Sequence, residues 1–202
     1  MLAKDLNQKG HEKDRKYVVD NLARLYMTEK GRAYLERADK SQFNIEIGKG
    51  KLERHMIGGE KQGTTTFGGS EHVTGGLTTA QTGTDPKTGT TTLMASGPAV
   101  TQGLGLPPIT VTIDKDNAAD LGKDPAKVFA HEIGGHVAGI LDFGERPSAD
   151  NPANPSFDLT GRDAKKEEEA ARKAENVGKL PDKASPEAIK AVEELLKKRN
   201  PD

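Results

Sequence analysis

Apolar residues recur at helical spacing in the first part of the chain. In residues 13–27 they form one stripe, which predicts an amphipathic helix. Thr28 is a suitable N-cap for a second short helix that carries Tyr34 and Leu35. Residues 1–12 are polar, so we predict a disordered N-terminal segment there.

Two further helices are predicted towards the C-terminus. Residues 162–177 are highly charged and helical in pattern. Ser185 can cap a helix that starts at Pro186 and carries an apolar stripe. The stripe consists of Ile189, Val192, Leu195 and Leu196. We predict that this C-terminal helix, within residues 181–202, packs on one main domain formed by residues 13–180.

Alternating apolar and polar residues predict strands at residues 43–47 and 109–114. The stretch between them is rich in glycine and threonine. Within it, residues 63–69 and 89–94 have the composition of short strands joined by glycine turns, in hairpins or long loops. Together with the helices, these segments predict an α+β fold with a small twisted sheet.

The most apolar stretch, residues 125–141, predicts a buried helix with Asp124 as its N-cap. It contains His131-Glu132-Ile133-Gly134-Gly135-His136. Neutral imidazoles are good zinc ligands, and a carboxylate beside the first histidine can take a proton from water that the metal activates. We therefore predict a zinc centre at this helix, with Glu132 as the catalytic general base.

The two histidines are five residues apart, whereas the usual zinc-peptidase motif separates them by four. An α-helix turns about 100° per residue, so these side chains would lie about 140° apart, too far to share one ion. A single π-turn would return them to one face, and two glycines tolerate irregular backbone. The alternative is a pair of hydrogen-bonded core histidines, but Glu132 buried without a partner or metal would be costly.

The amino-acid composition limits which metal ligands and which binding partners the chain can have. The chain has 202 residues, a net charge of −1 and no cysteine, so a zinc site must use histidine and carboxylate. There is no bulk basicity that would indicate nucleic acid, no apolar run long enough to span a membrane, and no signal peptide. With 33% hydrophobic residues and 23 glycines the core is thin, so a bound metal would add noticeably to stability.

Two routes supply a third protein ligand. Asp142 follows His136 at the spacing of the metzincin extension, although that family also needs a methionine after the motif. The methionines here are Met1, Met27, Met56 and Met94, and all of them precede it. The other route is a glutamate on the following helix, as in gluzincins.

The second route carries a family resemblance. The pattern Glu168-x-x-Ala171-x-x-x-Glu175-Asn176 after the histidine motif resembles metallopeptidase toxin domains of bacterial polymorphic toxins and secretion-system effectors. The resemblance runs in pieces from Leu25 to Asn176. It implies a zincin-like fold and zinc held by His131, His136 and Glu168. It also implies that Glu175 and Asn176 support the ligands, with Glu175 accepting a histidine N–H.

The implied function is a zinc metallopeptidase that acts as a toxin or secreted effector on a protein of the target cell. A secretion machine would deliver it from the producer cytoplasm, and an immunity protein is a possible partner. A zinc amidase acting on cell-wall peptide and a non-catalytic zinc-binding module stay open as alternatives.

Substrate binding and oxyanion stabilisation involve further candidate residues. The strand at residues 109–113 could bind an extended peptide by edge pairing. The residue that stabilises the oxyanion is not identified, and the candidates are Tyr17, Tyr26, Tyr34, His55, His72 and Arg146.

Overall fold

The helices follow closely from the apolar stripes and caps of the sequence. The structure is a computed structural model that describes residues 4–41, 43–52, 64–67, 75–84, 91–93, 108–144, 157–158 and 163–197. Within these residues the helices are α1 (Glu12–Tyr26), α2 (Glu29–Lys40), α3 (Lys115–Asp120), α4 (Pro125–His131), a π-helix (Glu132–Val137), α5 (Ala138–Gly144), α6 (Ala164–Ala174) and α7 (Pro186–Lys197). A short 3₁₀ helix spans Lys4–Asn7.

The predicted helix caps are confirmed. The Thr28 hydroxyl accepts a hydrogen bond from Gly31 N at 3.0 Å, and Asp124 accepts from Ala126 N at 2.9 Å. The Ser185 hydroxyl accepts from Ala188 N at 3.2 Å. Each bond satisfies one of the backbone N–H groups that a helix start leaves without a partner, so the starts of these three helices are encoded locally.

One mixed sheet contains the strands of the described residues. They are β1 (Ile45–Lys49), β2 (Thr64–Phe67), β3 (Gly76–Thr84), β4 (Thr91–Leu93), β5 (Ile109–Ile113) and β6 (Phe157–Asp158). Their order is β1-β5-β3-β4-β6, and β2 also pairs with β3. Only β1 and β5 run parallel. The predicted combination of helices with a small sheet is therefore confirmed as α+β.

The core lies between the sheet and the helices. Ile45, Ile47, Ile109, Val111 and Ile113 are fully buried on β1 and β5. They belong to one apolar cluster with residues of α1, α4 and the π-helix. Of the predicted stripe on α7, Val192 and Leu196 belong to the same cluster, and Ile189 and Leu195 are partly buried against it.

The predicted disorder of residues 1–12 was wrong for the part that the structure describes. Leu6 is only 2% exposed and belongs to the core cluster. Gly10 N donates to both carboxylate oxygens of Glu12 at 3.1 Å, next to the start of α1. Burial of the Leu6 side chain contributes about 2 kcal/mol to holding this segment against the core.

No helix in the described part of the chain is long and apolar enough to cross a membrane.

Candidate metal centre

The apolar helix widens at the histidine motif. Between α4 and α5 the backbone forms a π-helix over Glu132–Val137, which confirms the predicted π-turn. As a result the Nε2 atoms of His131 and His136 lie 3.1 Å apart, although the residues are five positions apart. The widened turn therefore brings both imidazoles to one point.

The two glycines of the motif allow close packing on both sides of the π-helix. A Cβ on Gly134 would lie 2.5 Å from two ring atoms of Tyr34 on α2. A Cβ on Gly135 would lie 2.3 Å from Cα of Ala171 on α6. Neither glycine has a positive φ. Both glycines therefore allow neighbouring helices to approach closely, and both lie in the irregular backbone of the π-helix.

Glu168 points at the two histidines. Its Oε2 lies 3.7 Å from Nε2 of His131 and 3.8 Å from Nε2 of His136. Its other oxygen, Oε1, accepts a hydrogen bond from Nε of Arg172 at 3.0 Å. The contact between Gly135 and Ala171, one turn along α6, brings the two helices close enough for this approach.

The side chains of His131, Glu132 and His136 could hold a metal ion, because one possible ligand atom from each lies within 4.8 Å of the others. Oε2 of Glu168 also lies within 4.8 Å of the Nε2 atoms of both histidines. Glu132 is also engaged elsewhere, since its Oε2 accepts a hydrogen bond from the sheet. Both glutamates therefore lie near the histidines, and Oε2 of Glu168 faces the two Nε2 atoms.

Glu175 fixes the orientation of His131. Its Oε1 lies 2.8 Å from Nδ1 of His131 and 3.3 Å from Nζ of Lys123. A carboxylate only accepts hydrogen bonds, so Nδ1 carries the proton and Nε2 faces His136 and Glu168. The predicted bond between Glu175 and a histidine N–H is present.

The pKa of His131 is raised, because the carboxylates around it together have a larger effect than its burial. Burial lowers the pKa of the imidazole, but the hydrogen bond to Glu175 and the carboxylates of Glu132 and Glu168 raise it above the usual value. The pKa of Glu175 is lowered, chiefly by its hydrogen bond to His131. Such a concentration of acidic groups around imidazoles favours a bound cation.

Glu132 is buried at the inner side of the site. It is 2% exposed, and its Oε2 accepts a hydrogen bond from the Thr78 hydroxyl of β3 at 2.6 Å. Burial raises the pKa of its carboxyl to about 7, although His131 and the Thr78 hydroxyl act in the opposite direction. A carboxyl with a pKa near neutrality can both accept and release a proton at physiological pH.

The structure does not bring the other proposed ligand to the site. Asp142 has a side chain that is 65% exposed and forms an ion pair with Arg37 of α2. It lies after the π-helix on α5, six residues beyond His136. The metzincin-like route to a third ligand is therefore not supported.

Asn176 is a correction to the set of supporting residues. Helix α6 ends at Ala174 with Glu175 as its C-cap, so Asn176 lies beyond the helical face that meets the histidines. It is exposed, and its carbonyl accepts a hydrogen bond from Lys30. In the structure it links α2 to the end of α6, whereas Glu175 lies within hydrogen-bond distance of His131.

The proposed peptide-binding strand is also a correction. β5 pairs with β1 on one side and with β3 on the other, so its backbone groups have no free edge for an added strand. Among the oxyanion candidates, Tyr34 packs against Gly134 beside the motif. Tyr17 and Tyr26 lie on α1, whereas His55, His72 and Arg146 lie outside the described residues.

Three residues at the site were not found from the sequence. Thr78 lies in the glycine- and threonine-rich stretch, where several threonines have the same local pattern. Lys123 and Arg172 sit among many other charged residues, and only their contacts with Glu175 and Glu168 distinguish them.

Comparison of this chain with protein-family models, with curated proteins and with solved structures gave no match.

Proposed function

We propose that this protein is a zinc-dependent peptidase with a zincin-like site. The observation that carries the proposal is the convergence of three ligand atoms, Nε2 of His131, Nε2 of His136 and Oε2 of Glu168. They belong to α4, the π-helix and α6, and the wider turn of the π-helix brings His136 to the same point as His131. The carboxylate of Glu175 lies beside His131, and the buried Glu132 is the next residue in the chain.

The ligand triangle fits zinc. Its sides are 3.1, 3.7 and 3.8 Å. A point equidistant from the three corners lies about 2.1 Å from each, which matches the usual zinc–nitrogen and zinc–oxygen distances. Two imidazoles with one carboxylate are also the ligand set of well-known catalytic zinc sites, and the chain has no cysteine to build a closed structural one.

Each residue then has a defined task. When bound, zinc supplies the Lewis acidity that activates water and polarises a carbonyl. Glu132 accepts a proton from the water that attacks the peptide carbonyl, and delivers it to the leaving amine. Glu175 holds the Nε2 lone pair of His131 in place. Arg172 holds Oε1 of Glu168, which leaves Oε2 for the ion.

The biological setting rests on the resemblance to toxin domains. The glutamate helix of that pattern, Glu168 to Glu175, lies against the histidine motif, and Ala171 occupies the point of closest approach. We propose a toxin or secreted effector that cleaves a protein of the target cell and is controlled by an immunity protein in the producer.

The test uses purified protein. Zinc is removed with a chelator and restored, and a mixture of unfolded proteins is assayed for new amino termini. We expect cleavage that depends on zinc and is lost in Glu132→Gln. Cleavage of cell-wall peptide instead of protein would favour the amidase. Zinc binding without cleavage of either would favour a binding module.

A further inference from the structure

Thr78 is a polar residue in an otherwise apolar layer. It is fully buried, and its register partner on β5 is Val111, a core residue on the same face of the sheet. A buried hydroxyl in such a place needs a hydrogen-bond partner. The partner is the Glu132 carboxylate, whose Oε2 lies 2.6 Å from the Thr78 hydroxyl.

The backbone around Thr78 is held on both sides. β3 pairs with β5 at Val111 and with β2 at Phe67, both directly opposite Thr78. A β-branched side chain in a strand also has restricted χ1 freedom. The hydroxyl therefore sits at a fixed position relative to the sheet, independent of the π-helix that carries Glu132.

Gly76 completes the contact from the same face of β3. A Cβ at this position would lie 2.8 Å from both Cγ and Oε1 of Glu132. Residues two apart on a strand face the same side, so Gly76 leaves room beside one carboxylate oxygen and Thr78 binds the other. Gly76 and Thr78, two successive residues on one face of β3, therefore both contact the Glu132 side chain.

We propose that Thr78 is a positioning residue for Glu132. Its hydroxyl donates to Oε2 and holds the carboxylate in the orientation in which it exchanges the proton with the attacking water. The inference rests on the proposed peptidase function, because it assigns a purpose to the orientation of the general base. It also places part of the catalytic arrangement on the sheet, outside the histidine and glutamate helices.

The activity test compares three variants with the wild type. Thr78→Val keeps the side-chain shape and removes the hydroxyl, so we expect kcat to fall about 10–100-fold, with KM and zinc content unchanged. Thr78→Ser keeps the hydroxyl and should restore most of kcat. Thr79→Val is the matched control, since Thr79 is the next residue on the same strand and faces the other side. It should keep full activity.

A second measurement needs no catalysis. The urea midpoint of the zinc-free protein is measured for Thr78→Val in the wild type and in a Glu132→Ala background. We expect a lower midpoint in the wild type, where the buried carboxylate loses its donor, and no loss in Glu132→Ala. If Thr78→Val does not fold, Thr78→Ala against Thr78→Ser replaces it in both experiments.

The outcomes separate the two proposals. A wild type without zinc-dependent cleavage overturns the peptidase function itself. An active wild type with full kcat in Thr78→Val overturns only the role of Thr78. The role of Thr78 is also overturned if Thr78→Val lowers the urea midpoint equally in both backgrounds. The hydroxyl would then stabilise the fold without acting on Glu132.

Discussion

Gly135 and Ala171 bring the two halves of the candidate site together. A Cβ on Gly135 would lie 2.3 Å from Cα and 2.4 Å from Cβ of Ala171, so no larger residue fits between the π-helix and α6. One turn before Ala171, Glu168 reaches both imidazoles, and at the end of α6 Glu175 binds His131. The spacing of the proposed ligands thus depends on one helix–helix contact.

We expect Gly135→Ala to separate the two helices. Because the added methyl group collides with backbone, the free energy of unfolding should fall by roughly 1–3 kcal/mol. Zinc affinity should fall as well, since Glu168 would move away from the histidines. Urea unfolding and competition with a zinc chelator measure the two effects.

Gly139→Ala is the matched control for that substitution. Gly139 lies in the same apolar segment, on α5, and a Cβ there would meet no atom within 4 Å. Its stability should be unchanged or higher by up to about 1 kcal/mol, as for alanine replacing glycine in a helix. Equal losses in both variants would show that the glycines serve the backbone and not the contact with Ala171.

The third ligand is tested by two carboxylate variants. Glu168→Ala should weaken zinc binding severely, because it removes one of the three converging atoms. Asp142→Ala should retain most of it, since Asp142 is exposed and paired with Arg37. Metal analysis after dialysis against a defined free zinc concentration measures both. The reverse order of the two affinities would support the metzincin-like route.

The raised pKa of Glu132 predicts how stability depends on pH in the zinc-free protein. Burial raises the pKa from 4.5 to about 7, so the folded state binds this proton more tightly than the unfolded chain. The contribution is fully present below about pH 4.5 and is lost as the pH rises to about 7. Relative to Glu132→Gln, the wild type should therefore lose up to about 3 kcal/mol of unfolding free energy across this window.

Urea unfolding at several pH values, with zinc removed by a chelator, checks this difference. The comparison with Glu132→Gln cancels groups that do not interact with Glu132. His131 does interact with it, so His131→Gln is introduced into both proteins in a second pair of measurements. A difference that stays constant, or that favours the wild type more as the pH rises, would mean that Glu132 does not titrate as a buried carboxyl.

Local patterns were sufficient to predict the longer helices, three of their caps and the π-turn, but not the short helix α3 or the 3₁₀ helix at Lys4–Asn7. The five-residue separation of His131 and His136 required a wider turn if both were to meet, and the structure has it. The stripe Glu168, Ala171 and Glu175 also lies on one face of α6, as its spacing indicated. Such features depend on residues close together in sequence, where geometry follows directly from spacing.

Long-range pairing was not predictable from the sequence. Nothing in the sequence indicated that β5 lies between β1 and β3, because an alternating strand looks the same at an edge and in the centre. Thr78 contacts Glu132, 54 positions away, through a strand whose composition has no clear alternation. The Thr78 hydroxyl gives the buried Glu132 a hydrogen-bond partner within the protein. No feature of the sequence indicated this partner.

Glu132→Gln in a living host tests the proposed function most directly. Glutamine keeps the shape of the side chain and removes its basicity, while His131, His136 and Glu168 remain to bind zinc. Wild type and variant are expressed at equal levels in a host cell, and cell growth, host-protein lengths and the zinc content of the purified proteins are measured. We expect the wild type to be toxic and to shorten one or more host proteins. The variant should retain zinc and fold but lose cleavage by about 10²-fold or more. A variant that stays as toxic as the wild type would contradict a peptidase and indicate that the domain acts by binding.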